Sequence, residues 1–111
     1  MAGKFEISKR ANGEFQFNLK AGNGQVILSS EGYSAKGSCT SGIESVRKNS
    51  QVDARFDRKT ASNGKFFFNL TATNGQTVGS SQMYADEGGR DNGIASVKTN
   101  APDASVDDQT A

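Results

Sequence analysis

Phe15, Phe17 and Leu19 alternate with Glu14, Gln16, Asn18 and Lys20, and an Asn-Gly pair stands on either side of the run, at residues 12–13 and 23–24. Period-two alternation broken by Asn-Gly predicts antiparallel hairpins, with type I′ turns in which both central residues take positive φ. With Phe5 and Ile7 before it and the run Gln25 to Glu31 after it, the segment reads as a three-stranded meander. After Tyr33 the spacing turns helical. Cys39, Ile43 and Val46 fall four and three apart on one face, Ser34 is the expected N-cap, and the helix closes near Asn49.

The pattern is written twice. NLKAGNGQVILSS at residues 18–30 returns as NLTATNGQTVGSS at 69–81, displaced by 51 positions. From Asn12–Ser50 to Asn63–Ala101 about half the positions are identical at that offset, including Tyr33 with Tyr84 and the GI-x-SV of each helix. A second meander and helix are therefore expected, with Ile94 and Val97 on the buried face and Ala101-Pro102 as the stop. Gly88 and Gly89 cost that helix about 1 kcal/mol each relative to Ala, and Ala85 caps less well than Ser34, so its start is expected to fray. Val52 to Lys59 aligns through Phe56 with the strand around Phe5, which makes the join a strand rather than a linker.

One such unit would bury only about 60% of its unfolded surface, and a lone three-stranded sheet needs a second apolar layer. The copies are thus expected to share one core about a pseudo-twofold axis, with duplication supplying internally what a dimer supplies between chains. The expected class is α+β: two tandem β-β-β-α(-β) repeats forming one antiparallel sheet with two helices on one face. Residues 1–111 are expected to be a single monomeric domain, with repeat 1 at about 1–51, repeat 2 at about 52–102 and an acidic tail at 103–111.

AGNGQVILSSEGY at residues 21–33, GIESVRKN at 42–49, NGKFFFNL at 63–70 and GIASVKTN at 93–100 together closely resemble the YegP family of small bacterial proteins. The resemblance runs from Gly3 to Asn100 and is to the members with duplicated units. It implies a β-β-β-α-β unit and a single sheet with C-terminal strands exchanged between halves, here near Asp53 to Lys59 and near Ala104 to Asp108. It implies no functional residues, because the family has no assigned biochemical activity.

Composition narrows the chemistry further. Thirteen Lys and Arg against twelve Asp and Glu give a formal charge of +1, so no strong field steers nucleic acid or membrane to the surface. The first fifty residues lean basic, with seven bases and four acids, while Asp103, Asp107 and Asp108 gather at the end. No apolar run has the length of a signal peptide or a membrane span, and Cys39 is the lone thiol, so a soluble cytoplasmic protein is expected. There is no His, which removes the commonest general base and metal ligand. Cys39 falls on the apolar helix face and reads as core, with Arg90 as its counterpart in the second copy. Asp86, Glu87 and Asp91 read as charges placed favourably at a helix N-terminus. The Gly-rich segments 21–25 and 88–93 lack the context of a phosphate loop. No catalytic, metal or cofactor-binding residue is therefore expected, and no cofactor.

What survives is binding on the sheet face that the helices leave open. The outward phase of the second strand carries Gln16 and Asn18 in copy one but Phe67 and Asn69 in copy two, with Arg55, Arg58, Lys59 and Lys65 near Phe67 in sequence. Phe67, Lys65, Arg55, Arg58, Lys59, Asn18 and Asn69 are the candidate surface contacts. They fit a non-catalytic binding or protein-interaction module with an unidentified partner. One alternative is weak single-stranded nucleic-acid binding, in which bases stack on an aromatic set among cations. A remote alternative is an enzyme of unknown class. The pairs Asn18/Asn69, Ser29/Ser80, Ser30/Ser81 and Tyr33/Tyr84 would either line two equivalent ligand sites or satisfy strand ends and helix entries by hydrogen bonds.

Overall fold

A computed structural model describes residues 3–110. Its strands are β1 (Lys4–Lys9), β2 (Phe15–Lys20), β3 (Val26–Ser29), β4 (Phe56–Thr60), β5 (Phe66–Thr71), β6 (Thr77–Ser80) and β7 (Ser105–Asp108). The helices are α1 (Lys36–Asn49) and α2 (Glu87–Asn100), and a 3-10 turn at Asp53–Arg55 leads into β4. All seven strands form one sheet in the order β4-β5-β6-β3-β2-β1-β7.

Each meander forms where the alternation places it, but its turns are built differently from the expectation. The Arg10 amide donates to the Glu14 carbonyl and the Gly13 amide to the Arg10 carbonyl, and the same pair of bonds recurs at 21–25, 61–65 and 72–76. Among the described residues only glycine takes positive φ, at Gly13, Gly24, Gly64 and Gly75. This is a three-residue loop ending in a left-handed glycine rather than a two-residue I′ turn. The preceding Asn stays right-handed because its side-chain oxygen accepts the amide of the residue after the glycine, at 3.0 Å in all four turns.

The run Val26-Ile27-Leu28 does not alternate, and a bulge explains why. The register of β2 with β3 slips between Leu19↔Leu28 and Lys20↔Val26, and β5 with β6 slips at the equivalent place. The extra residue lets both Ile27 and Leu28 be buried.

Both helices start one residue later than expected, and their caps invert the sequence reading. Ala35 is the N-cap residue of α1 and makes no side-chain bond, so Ser34 does not cap it. Asp86, the counterpart of Ala35, caps α2 by accepting the Gly89 amide at 2.7 Å. An aspartate can fill an orphan donor that an alanine cannot, so α2 is the better capped of the two.

Each helix crosses the midline: α1 lies over β2 and reaches β5 and β6, while α2 lies over β5 and reaches β3. A single buried cluster takes Phe5, Phe17, Leu19, Ile43 and Val46 from the first copy and Phe56, Phe68, Leu70, Ile94 and Val97 from the second. The symmetry extends to ring geometry, with Phe5–Phe17 and Phe56–Phe68 meeting edge-on at 5.7 and 5.6 Å. Between the halves the backbone seam is thin, since β3 and β6 share only the pair Ser29↔Ser80. Packing closes it, because Leu28 fills the space above Gly79, its own counterpart, where an added Cβ would lie 2.8 Å from the Leu28 side chain.

Both strands that follow a helix cross to the opposite half, as the resemblance implies, yet they are seated differently. β4 pairs antiparallel with β5, whereas β7 pairs parallel with the outside of β1. The sheet is therefore mixed rather than wholly antiparallel. The acidic tail segment Ser105–Asp108 is an ordered strand because Lys36 holds Asp108 at 2.8 Å and the Gln109 amide donates to the Ile7 carbonyl. No described helix is long and apolar enough to cross a membrane.

Candidate functional site

The face opposite the helices carries a polar row that crosses the whole sheet. Strand registers align Asp107, Glu6, Asn18, Ser29, Ser80, Asn69 and Asp57, so the row reads acid, amide and hydroxyl up to the axis and hydroxyl, amide and acid beyond it. At its second-copy end the Ser80 hydroxyl donates to Asn69 Oδ1 at 2.6 Å. At the other, Glu6 takes Lys20 at 2.8 Å and Lys4 at 3.2 Å. The hydrogen bond from Lys20, then that from Lys4, holds the Glu6 carboxyl below its ordinary value despite partial burial.

Phe67 is half-buried on this face, beside Lys59 in register. Asn18 and Asn69 take the places in the row just described, and Lys65 is exposed in the turn before β5. Arg58 does not join them. Its register partner is the fully buried Phe68, so its side chain lies on the helix side and reaches Asp53 and Asp91, each at 3.5 Å. Arg55 lies in the 3-10 turn, and Lys59 is engaged by Asp57 at 3.2 Å. The bases that cluster in sequence thus divide between two faces in space, because successive side chains of a strand point opposite ways.

Sequence reasoning missed Met83. The Ser81 amide donates to the Phe68 carbonyl and the Tyr84 amide to the Phe66 carbonyl, so Gln82 and Met83 together stand against Phe67. Met83 is 50% exposed, one of the most exposed large apolar side chains of the fold. In the first copy the matching residues are Gln16 and Gly32, so the Phe67–Met83 spot has no twin. Comparing position 32 with 83 as well as 16 with 67 would have found it.

The remaining conserved pairs of the two copies serve the fold. The Ser30 hydroxyl accepts the Phe17 amide and donates to the Glu31 carbonyl, and Ser81 does the same for Phe68 and Gln82, with all four bonds between 2.8 and 3.0 Å. Tyr33 and Tyr84 lie against Gly42 and Gly93 of the helices, and burial raises both phenols. Cys39 is fully buried and burial pushes its thiol up, the reverse of what a nucleophile needs. Its counterpart Arg90 stacks 5.5 Å from the Phe66 ring and pairs with Asp91 at 3.4 Å and Glu87 at 3.6 Å. A groove of about 180 Å³ between the 21–25 turn and α2 is lined by apolar Ala21 and Ile27 as well as polar Asn23, Gln25, Asn92 and Ser96, with no carboxylate or cation.

A family model described as a domain of unknown function, DUF1508, matches residues 11–57 and again 61–108. Each match spans two strands and a helix, the first ending inside β4 and the second taking in the whole of β7. The chain is 56% identical over 110 residues to the UPF0339 protein YegP of Escherichia coli strain K12, covering 99% of this chain and 100% of the relative. It is 58% identical over 106 residues to a UPF0339 protein in the ptx operon 5′ region of Stutzerimonas stutzeri, covering 96% of each. Among solved structures, the solution structure of the protein of unknown function yegP from E. coli superposes with a TM-score of 0.94 over 98% of this chain and 94% of that one, at 56% identity. The UPF0339 protein SO3888 from Shewanella oneidensis superposes at 0.92 over 97% and 92%, at 49% identity.

Proposed function

The chain belongs to the DUF1508 family, and from that premise we propose that it is a non-catalytic protein-interaction module whose contact point is Phe67 with Met83 on the open sheet face. The observation that carries this reading is the asymmetry of an otherwise repeated face. A scaffold alone would tolerate Gln16 and Gly32 twice, whereas a half-exposed Met beside a Phe is the kind of apolar anchor on which interface energy concentrates. The absence of His from the chain and the burial of Cys39 favour binding over catalysis. We also place the module in the cytoplasm, where a lone buried thiol is stable, and take it to be monomeric.

Nucleic acid is the less favoured occupant. Lys20 is paired with Glu6, Lys4 with Glu6 and Asp107, and Lys59 with Asp57, while Arg58 lies across the sheet, so the one ring has exposed Lys65 near it but no track of free cations.

A photo-crosslinking residue placed at position 67, and in a second variant at position 16, tests the reading inside living cells. A discrete protein adduct from position 67 and none from 16 is expected. The same adducts from both positions, or none from either, would remove the proposal. An adduct to nucleic acid would favour the alternative.

A further inference from the structure

We propose that the outer edge of β4 is a docking seat for an extended acidic segment of a partner protein, which adds there as a parallel strand in the way β7 adds to β1. The two halves of the sheet are unequal. One has four strands, β7-β1-β2-β3, and the other three, β6-β5-β4, and among the described residues nothing pairs with the outside of β4. The chain itself shows what fits this position. On β1, Val106 stands beside Phe5 and Asp108 beside Ile7, the Gln109 amide bonds the Ile7 carbonyl, Lys4 approaches Asp107 at 3.6 Å, and Lys36 holds Asp108.

Shifted by 51 positions, Phe5 becomes Phe56 and Lys4 becomes Arg55, while Ile7 becomes Arg58. The backbone carbonyl that receives Gln109 on β1 thus has its equivalent at Arg58, on an edge where Asp57 to Thr60 are all exposed. Arg55, the counterpart of Lys4 in the sequence shift, closes the 3-10 turn that leads into β4, and its buried Nε–H has no acceptor among the described residues. Glu87 replaces Lys36 and is held by Arg90, so the cation for the second guest carboxylate is Arg58, which holds Asp53 and Asp91 only at 3.5 Å. Over residues 55–60 the edge carries Arg55, Arg58 and Lys59 against the single acid Asp57, so charge complementarity favours an acidic strand, and backbone pairing supplies the remainder, as in other sheet-edge recognition. The chain's own tail is the weaker candidate in trans, because its tether to α2 keeps it concentrated at β1.

The test is a titration of the isotope-labelled full chain with a capped peptide of residues 104–109, ASVDDQ, followed by amide shifts. Salt-sensitive shifts at Phe56–Thr60, with affinity about tenfold lower for the peptide carrying Asn at both Asp positions, are expected from two exposed ion pairs. R58E should weaken binding, and the shift map of the native chain stands whether or not that variant folds. F67Q should leave it unchanged, so this proposal and the Phe67–Met83 reading fail separately. Shifts confined to Lys4–Ile7, no shifts at millimolar peptide, or dimerisation through β4 without peptide would each overturn it.

Discussion

Gly42 lies in the middle of α1, where alanine ordinarily gains about 1 kcal/mol over glycine. Here the sign reverses. An added Cβ would lie 2.5 Å from Tyr33 Oη and 3.1 Å from the Phe17 ring, and overpacking of that kind costs about 1–3 kcal/mol. Gly42→Ala is therefore expected to lower the urea midpoint, and Gly93→Ala to do the same against Tyr84. Gly37→Ala, with nothing within 4 Å, is expected to raise the midpoint, gaining up to about 1 kcal/mol of stability. Equal effects at positions 37 and 42 would refute the packing account. The alternating Phe and Leu positions that define this core were legible in the sequence because period two is a local property. The contact between Gly42 and Tyr33 was not, since it joins a helix to the segment before it through a path that spacing does not encode. Arg58 illustrates the same limit: proximity in sequence grouped it with Phe67, and the pleat sent it to the other face.

At the scale of elements, meanders, helices and the join were legible in the pattern, the last strand only through the family resemblance, and the caps were not. A one-residue error moved the expected cap from Ala35 to Ser34, and at a helix start one residue decides which side chain reaches the free amides. Asp86→Ala is expected to cost about 1 kcal/mol and Ala35→Asp to gain a similar amount, read from thermal or urea unfolding. The reverse order would show that Ser34 caps after all. β7 reads as a charged tail because its pairing energy comes from partners far along the chain. Lys36, then Thr110, depresses the Asp108 carboxyl from an ordinary 3.8 to about 2. A depressed carboxylate stabilises fully above its unfolded value and loses that contribution as pH falls through the folded one. Acidification from pH 3.8 toward 2 is thus expected to release β7 before the core opens, with Val106 methyl signals becoming coil-like while those of Ile43 persist. Replacing Lys36 by Met should move that release to higher pH. Loss of both signals together would contradict it.

For the whole molecule, the duplication made the pseudo-twofold arrangement readable, and the four-plus-three division of strands was hidden because one segment, β4, both ends the first unit and begins the second. We propose that residues 3–110 behave as one folding unit, although the two halves share a single backbone pair at Ser29 and Ser80. What joins them is side-chain packing at the axis. A symmetric dimer must place the same residue on both sides of that axis, whereas a tandem chain can set Leu28 over Gly79. The functional asymmetry proposed at Phe67 and Met83 follows the same logic, with identity retained where the halves support each other and difference admitted where they need not match. The decisive measurement is a double-mutant cycle of Leu28→Gly and Gly79→Leu in urea, monitored at Tyr33 and Tyr84. Each single change is expected to destabilise by at least about 2 kcal/mol, and the double variant to recover about 1–3 kcal/mol of their sum in one transition seen by both probes. Costs that add to within about 0.5 kcal/mol, or a first copy that melts apart from the second, would contradict a core shared through the axis.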